Sequence, residues 1–313
     1  MTWNNETMID EFILLAFSNL GDLQILLFIV FLLVYLTTVI VNLITILTII
    51  VDSTLHNPMY FFLQHLSFAE VGLTSTIIPK LLVNLLSENK VISLLGCRAQ
   101  TYFVFFFGSI QCFILIVMAY DRFVAICNPL YYVAKMNKKF CLLLVATVWA
   151  SVIPIATVQS TWLLSFPFCK SNAISHFFCD TPPILHLVCE DISWFQTYAL
   201  IESFILFICP FLLILVSYIC IISTILRMTS VERRRKAFST CSSHIIVVTL
   251  FYGSACLTHF HPQSSYGLGN QHLLSLSYVV FTPLLNPLIY SVRNKEIKRA
   301  VSRLIRRRMH CNY

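Results

Sequence analysis

Charged side chains are scarce in this sequence, at 11% of its 313 residues. A soluble globular domain carries about 25% charged residues, so the scarcity excludes a chain that folds mainly in water. Glycine is scarce too, with 7 residues against 26 phenylalanines, which is unusual for a loop-rich soluble enzyme. Apolar side chains take their place and make up 58% of the chain. These proportions predict a protein whose main solvent is the lipid bilayer.

Several chemical signatures are also absent. The sequence contains no nucleophile–base arrangement, no phosphate-binding Walker loop and no zinc-ligand spacing, so we expect neither an enzyme nor a bound metal or cofactor. Residues 1–12 lack the basic region and the small-residue cleavage site of a signal peptide. The first apolar run is therefore expected to direct membrane insertion itself.

Seven apolar runs reach the length of about 20 residues that a membrane-spanning helix needs. They cover residues 23–51, 58–86, 99–120, 140–164, 192–226, 237–260 and 272–292. Beyond them, residues 293–308 are basic, with Ile297, Val301, Leu304 and Ile305 at helical spacing, which predicts a short amphipathic helix on the membrane surface. The sequence thus predicts an all-α membrane protein of one domain, 1–313. Residues 1–22 precede the seven-helix bundle, 23–292 form it and 293–313 make the tail.

The basic residues predict which side of the membrane each loop occupies. If the amino terminus lies outside, all but four of the 21 Lys and Arg residues fall on the inner side, as the positive-inside rule requires. An N-glycosylation acceptor at Asn5, in the tripeptide Asn-Glu-Thr, agrees with an outer amino terminus. Basic clusters are also typical of nucleic-acid binding, but these flank apolar runs, which favours the membrane interpretation.

Four of the 12 cysteines fall on the expected outer side: Cys97, Cys169, Cys179 and Cys189. Four cysteines on the oxidising side of a membrane can form two disulfides, and their spacing leaves three pairings open. A metal site built from His176, Cys179 and His186 is an alternative, but these residues lack the close spacing of metal ligands.

Asp121 and Arg122 form an adjacent acid and base at the end of the third apolar run. Charges at such a place are costly unless they pair or reach water, and they are often functional. The pair could serve only as an interfacial anchor. The other motifs along the chain distinguish an interfacial anchor from a functional pair.

Four stretches resemble, in the right order, the signatures of olfactory receptors, which are rhodopsin-like G-protein-coupled receptors. They are residues 55–63 (LHNPMYFFL), 118–129 (MAYDRFVAICNP), 236–244 (KAFSTCSSH) and 283–295 (PLLNPLIYSVRNK). The loop string 176–180 (HFFCD) resembles the tetrapod-type, or class II, branch. The resemblance implies a multi-pass plasma-membrane receptor for a small volatile, mostly apolar odorant. Its other partner would be a heterotrimeric G protein of the stimulatory, olfactory type, which raises cAMP.

The resemblance also assigns roles to single residues. It implies disulfides between Cys97 and Cys179 and between Cys169 and Cys189. Arg122 is expected to meet the G protein, and Asp121 to hold it in the inactive state. The other residues implied in switching and coupling are Tyr218, Lys236, Asn286 and Tyr290. Phe123, Asn128 and Tyr131 depart from the residues common in the family, so the tuning of activation is expected to differ here.

A polar network inside the bundle is expected from Asn42, Glu70, Gln111 and Asn286. Intramembrane polar groups usually face the bundle and pair with one another. Gln111 stands where olfactory receptors commonly carry Glu, so we do not predict a bound sodium ion. For Asn42 and Asn286, a structural hydrogen-bonding role and a switching role both remain open.

The ligand site implied by the resemblance lies in the outer half of the bundle. Its expected lining is Val104, Phe105, Gly108, Ser109, Cys112, Glu202, Tyr252, Ala255, Cys256 and His259. Apolar residues at this spacing are also typical of plain core packing. Val104 occupies the place where amine receptors keep an Asp, so a biogenic amine is not expected. The seventh run has no Lys before Lys295, which excludes a retinal Schiff base.

Two further interpretations stay open at the level of sequence. A receptor of this type could act as a chemosensor outside the olfactory epithelium, which only its tissue of expression decides. A seven-span transporter or channel would need a polar pathway or inverted repeats at the membrane midplane. Glu70 and Glu202 alone are too few polar residues to form such a pathway.

Overall fold

The computed structural model describes residues 10–17, 21, 23–169, 171–259, 275–276, 279–280, 282–293 and 295–311. Its helices are α1 (Leu23–Val51), α2 (Pro58–Leu86), α3 (Leu94–Cys127), α4 (Pro129–Lys135), α5 (Lys138–Leu163), α6 (Thr181–Leu185), α7 (Ser193–Ser203), α8 (Cys209–Leu226), α9 (Val231–His259), α10 (Thr282–Arg293) and α11 (Lys295–Cys311). A short 3₁₀ turn, Ser53–Leu55, connects α1 to α2, and strands β1 (Glu11–Leu14), β2 (Val91–Ser93) and β3 (Ala173–Ile174) complete the elements.

Six helical stretches of the described part are long and apolar enough to cross a membrane. They are α1, α2, α3, α5, α9 and the continuous stretch from α7 to α8. Backbone amides buried in lipid must find partners within the protein, which a helix supplies internally. The seventh predicted run, 272–292, is described only in part, and its second half forms α10.

Helix ends follow local capping chemistry. Asn57 caps α2 by accepting a 3.3 Å hydrogen bond from the Tyr60 amide, with Pro58 in the first turn, so the predicted bounds 58–86 agree with the structure. The prediction of 99–120 for α3 was too short. That helix begins after Ser93, which caps it, and continues to Cys127. It ends there because Pro129 disfavours a helical backbone at the preceding residue.

The fifth span contains one π turn, Phe204–Ile208, between α7 and α8. Its closing hydrogen bond runs from the Cys209 amide to the Phe204 carbonyl, five residues back. Pro210 follows directly, and a proline inside a helix has no amide to donate and crowds the carbonyl four residues before it. The wider turn accommodates the proline without breaking the span.

A three-stranded sheet in the order β2-β1-β3 lies where α3 begins. β1 runs antiparallel to β2, pairing Phe12 with Ile92, and parallel to β3, pairing Ile13 with Ala173. Phe12 is fully buried against the loop that follows α5. We call this end of the bundle, with the sheet and both disulfides, the disulfide end. The opposite end, with Arg122, α4 and α11, is the basic end.

α3 is the central helix and packs against α2, α5, α8 and α9. Its buried side chains run along the whole helix, from Cys97 at the disulfide end to Arg122 at the basic end. α1 instead buries mostly small polar side chains such as Thr38, Asn42 and Thr45 and exposes its long aliphatic ones. This distribution is typical of a helix that packs against its neighbours inside lipid.

Candidate functional site

The disulfide end is stapled by two bridges. Cys97 of α3 is bonded to Cys179, with Cα atoms 5.6 Å apart, and Cys169 is bonded to Cys189, with Cα atoms 6.0 Å apart. These are the pairings that the resemblance implies. Cys179 is consumed in the first bridge, and the described residues contain no group of three or more His, Cys, Asp or Glu that could hold a metal. With its sulfur in the first bridge, Cys179 has no thiolate to offer to a metal beside His176 and His186.

An inner cavity of about 50 Å³ lies beneath this end. All five residues predicted from α3 line it: Val104, Phe105, Gly108, Ser109 and Cys112. The rest of its described lining is Phe178, Asp180, Leu206, Phe207, Ser275 and Val279. The Ser109 hydroxyl is buried and has no hydrogen-bond partner among the described residues. The cavity is thus apolar, with few polar groups in its wall, as sites for small apolar ligands usually are.

The predicted residues of α9 take different positions. The Tyr252 side chain is buried, and its hydroxyl donates a 3.3 Å hydrogen bond to the Cys112 carbonyl, directly beside the inner cavity. Ala255 is buried as well, but neither residue is part of the described lining. Placing Cys256 in the site was wrong because its side chain is exposed on the outer face of α9, one residue around the helix from Ala255. The His259 side chain lies outside the described residues.

Glu202 does not reach the inner cavity and lines a neighbouring one of about 660 Å³, which we call the lateral cavity. The lateral cavity lies between α5, α6, α7 and the π turn. It shares part of its wall with the inner cavity, namely Phe105, Asp180, Leu206 and Phe207. Of the five predicted α3 residues, Phe105 is the one in the described lining of the lateral cavity together with Glu202. Glu202 therefore shares a cavity with one of them rather than with all five, and the π turn begins two residues after it.

Halfway along the bundle, Glu70 and Asn286 are joined directly. The Asn286 side-chain amide donates a 2.6 Å hydrogen bond to a Glu70 carboxylate oxygen, and both residues are buried. The Asn42 amide donates to the Thr38 carbonyl at 3.0 Å and to the Pro283 carbonyl at 3.5 Å, and its side chain also interacts with the Glu70 carboxyl group. Gln111 is buried, and its amide nitrogen has no hydrogen-bond partner among the described residues. The structure thus joins α2 to α10 and places Gln111 outside this hydrogen bond.

A cleft of about 790 Å³ opens at the basic end. Four predicted switch residues line it: Asp121, Arg122, Lys236 and Tyr290. Tyr218 lies deeper, where its hydroxyl and the His244 ring nitrogen are 2.8 Å apart, joining α8 to α9. Sequence reasoning missed His244 as an individual residue, although it closes the 236–244 motif.

Asp121 is held by a residue that sequence reasoning missed. The Tyr132 hydroxyl of α4 donates a 2.9 Å hydrogen bond to its carboxylate. Burial, reinforced by the Asp121 charge, raises the pKa of the Tyr132 phenol well above its usual range. Among the described residues, the single ion pair within 4.0 Å is that of Arg303 with Asp52. Asp121 and Arg122 form no such ion pair in the described structure, although the Arg122 charge still acts on the Asp121 carboxylate; that Asp121 holds Arg122 in the inactive state stays a prediction.

α11 docks onto the turn between α1 and α2. The Arg303 guanidinium donates to the Asp52 carboxylate at 2.7 Å and to the Thr54 hydroxyl at 2.9 Å. Hydrogen bonds from Thr54 and then Arg303 lower the pKa of Asp52 to about 2. At the start of α11, Glu296 accepts a 2.7 Å hydrogen bond from the Tyr60 hydroxyl. Ile297 and Ala300 are buried beneath these polar contacts, as the predicted amphipathic pattern requires.

Comparison with known proteins decides the family. The profile of the family described as olfactory receptor matches residues 31–308 of this chain. The chain belongs to the olfactory receptor family. Human olfactory receptor 10A7 is 51% identical to this receptor over 305 residues, which is 97% of this chain and 96% of that protein. Human olfactory receptor 10A5 is 52% identical over 97% of this chain and 96% of its own length.

Human olfactory receptor 10A4 is similar to the same degree, 52% identical over 98% of both chains. Membership makes this chain an odorant receptor of the G-protein-coupled, seven-helix class, a class of receptors rather than enzymes. With its apolar helices, the receptor is a multi-pass membrane protein. The family resemblance derived from four short motifs is confirmed over almost the whole length. The glycosylation acceptor Asn5 lies outside the described residues.

Proposed function

We propose that this receptor binds a small volatile, mostly apolar odorant at the disulfide end and activates a stimulatory heterotrimeric G protein at the basic end, raising cAMP. The observation that carries the proposal is the position of α3. Its residues from Val104 to Cys112 line the inner cavity, and Asp121 and Arg122, at the other end of the same helix, line the basic cleft. One rigid element therefore touches both sites.

The disulfide end faces the outside of the cell in this proposal. Support comes from the concentration of Lys and Arg at the opposite end and from the two disulfides, which persist on oxidising surfaces. The amino terminus with Asn5 is then extracellular, and the tail with α11 is cytoplasmic. All 313 residues form a single receptor domain in the plasma membrane.

The size of the inner cavity indicates how an odorant is accommodated. A pocket for a small organic ligand typically encloses about 300–1,000 Å³, whereas the inner cavity measures about 50 Å³. Binding therefore needs side chains in its wall to move, and the shared wall with the lateral cavity offers the nearest space. An odorant that binds the widened cavity more tightly shifts the receptor toward that state in proportion to its differential affinity.

The basic cleft offers Arg122 to the G protein. The Arg122 side chain lines the cleft without an ion pair within 4.0 Å among the described residues, and the Asp121 carboxylate accepts its hydrogen bond from Tyr132. A cation without a paired acid can bind backbone carbonyls or an acidic terminus of an incoming helix. Arg235 and Lys236 add two further positive charges to the lining of the cleft.

A cAMP reporter screen tests both halves of the proposal. Cells that express the receptor are exposed to a chemically diverse odorant panel, and the same screen is repeated with Arg122→Ala. We expect at least one odorant to raise cAMP through the wild type. The variant should reach the cell surface and give no response. An unchanged response of Arg122→Ala would contradict the coupling role.

A further inference from the structure

The lateral cavity has an acidic wall, of which Asp180 is shared with the inner cavity and Glu202 is not. Asp180 and Glu202 both line it, and Glu190 lies at its exposed rim. Glu202 is 7% exposed and accepts a hydrogen bond from the Tyr198 hydroxyl at 3.3 Å. The described lining includes His186 as the one residue that can carry positive charge, and neither Lys nor Arg occurs in it. A buried acid without a cation is costly to leave in place.

Asp180 adds a second desolvated acid. One of its carboxylate oxygens accepts a 2.8 Å hydrogen bond from the Thr181 amide and caps α6. Burial raises the pKa of Asp180 to about 6. No Lys or Arg of the described chain forms an ion pair with Asp180 or Glu202. Both acids thus lack a positive partner within the part of the protein that the structure describes.

Gln159 points to a ligand independently of the acids. Its side chain, on α5, is 1% exposed and lines the same cavity. The amide nitrogen donates to the Thr181 hydroxyl at 3.0 Å, which fixes the orientation of the amide group. Its carbonyl oxygen is buried and has no hydrogen-bond partner among the described residues. A buried acceptor without a donor is expensive, so a hydrogen-bond donor suits this place.

The shared wall supplies an apolar surface beside these acceptors. Phe105, Leu206 and Phe207 line both cavities, and the π turn contributes two of them. Single π turns are frequent at functional sites because they shift the face that a helix presents. The lateral cavity therefore combines carboxylates and an amide oxygen on one side with aromatic and aliphatic side chains on the other.

We propose that the lateral cavity binds a small alkylammonium ligand, whose charged head lies between Glu202, Asp180 and the Gln159 carbonyl and whose hydrocarbon tail packs on Phe105, Leu206 and Phe207. The inference goes beyond the proposed apolar odorant of the inner cavity and adds a second ligand class at the lateral cavity: an apolar body with one cationic head. An ammonium group brings three donors to a site that has only acceptors. A metal ion fits less well, since no described group of His, Cys, Asp and Glu has metal-binding geometry.

Binding is measured directly, without signalling. Purified receptor in nanodiscs of zwitterionic lipid is titrated with n-hexylamine, which is protonated at neutral pH, and with hexan-1-ol of nearly the same shape. The melting temperature reports binding because a ligand that binds only the folded receptor stabilises it. We expect an apparent Kd for hexylamine at least about tenfold below that for hexanol, as a charge-assisted hydrogen bond adds about that factor or more.

Two variants locate the effect. Glu202→Gln keeps the shape and removes the charge, so its preference for the amine should disappear. Glu88→Gln is the matched control, since Glu88 is an exposed acid at the same end of the bundle and outside the cavity. It should retain the wild-type preference. Gln159→Leu, which removes the unpartnered oxygen, should weaken hexylamine binding about two- to tenfold.

Equal affinity of the wild type for hexylamine and hexanol would overturn the inference whether or not any variant folds. Retention of the amine preference by Glu202→Gln would overturn it as well. A failure of this inference can be distinguished from a failure of the proposed function. A receptor that gives no cAMP response to any odorant can still show the melting shift, and a receptor without amine preference can still signal to uncharged odorants.

Discussion

The Tyr132 hydroxyl donates a 2.9 Å hydrogen bond to the buried carboxylate of Asp121, whose sequence neighbour Arg122 lines the basic cleft. The acid of the pair is therefore held by α4 rather than by the adjacent arginine. Neighbouring residues on a helix do not face each other, so a partner from another helix is the simpler geometry. The arrangement leaves the Arg122 guanidinium available to a binding protein.

Replacement of Tyr132 tests this arrangement. In Tyr132→Phe the Asp121 carboxylate loses its donor, and Arg122 is the nearest group that can replace it. We expect about a tenfold loss of odorant potency at equal surface expression, the size of one hydrogen bond to a charged group. Tyr102→Phe is the control, since Tyr102 lies at the disulfide end of α3, lines neither the inner cavity nor the basic cleft, and has no hydrogen bond from its hydroxyl among the described residues; its dose–response curve should match the wild type. Equal curves for both variants would show that the hydrogen bond does not influence coupling.

The hydrogen bond of Asn286 to Glu70 is expected to stabilise the bundle. Asn286→Ala removes the 2.6 Å hydrogen bond to the buried Glu70 carboxyl group, and the loss of such a buried partner costs about 1–3 kcal/mol. The melting temperature of the purified receptor should fall accordingly. Asn89→Ala removes an exposed asparagine from the loop after α2 and should leave the melting temperature unchanged. If both variants have the same melting temperature, the hydrogen bond between α2 and α10 contributes nothing measurable to the stability of the receptor.

Asp180 is expected to make stability depend on pH. Burial raises its pKa from 3.8 to about 6 in the folded receptor, so its contribution to stability is fully present below about pH 4. That contribution is lost as the pH rises through about 6. Asp180→Asn keeps the hydrogen-bond acceptor for Thr181 and does not titrate. The melting temperature should therefore fall less between pH 5 and pH 7.5 in the variant than in the wild type, and an equal fall would contradict the shifted pKa.

The ion pair of Arg303 with Asp52 is expected to hold α11 against the turn after α1. Arg303→Gln should speed hydrogen–deuterium exchange of the amides in Lys295–Cys311, because the helix opens more often. The effect will be modest, since an exposed ion pair contributes about 0.2–1 kcal/mol. Arg306→Gln removes an exposed arginine of the same helix for which the structure shows no ion pair. Faster exchange in both variants alike would mean that general charge, not this contact, docks α11.

Hydropathy predicts those features of the fold that depend on long apolar runs. The bounds of α1 and α2 could be predicted because a capping Asn and a proline mark where the second run begins. The length of α3 was underestimated because the helix continues past the apolar run, through Asp121 and Arg122 to Cys127. Charged residues in that last part interrupt the apolar pattern from which the helix was predicted. The strand Glu11–Leu14 was missed, since four residues are too few for an alternating pattern to stand out.

Sequence alone predicted the positions of some candidate site residues and not of others, again because it reports only on features within a single regular helix. Five α3 residues were placed correctly in one cavity because their spacing along a single regular helix fixes the face that they share. Glu202 lines the lateral cavity and the Cys256 side chain is exposed, and the spacing of residues along one helix does not determine either position, because both depend on how neighbouring helices pack. The partner of Asp121 lies eleven residues away on α4, and only the folded chain brings Tyr132 there.

Odorants are proposed to bind at the inner cavity and to act on the basic cleft through α3. Gly108→Val adds a branched side chain to the cavity wall, whereas Gly253→Val makes the same change on the exposed face of α9, where no atom lies within 4 Å of an added Cβ. The dose–response curve of an activating odorant is measured for both variants by cAMP reporter at equal surface expression. We expect at least about a tenfold loss of potency for Gly108→Val, since overpacking costs about 1–3 kcal/mol, and an unchanged curve for Gly253→Val. Equal potency of the two variants would contradict odorant binding at the inner cavity.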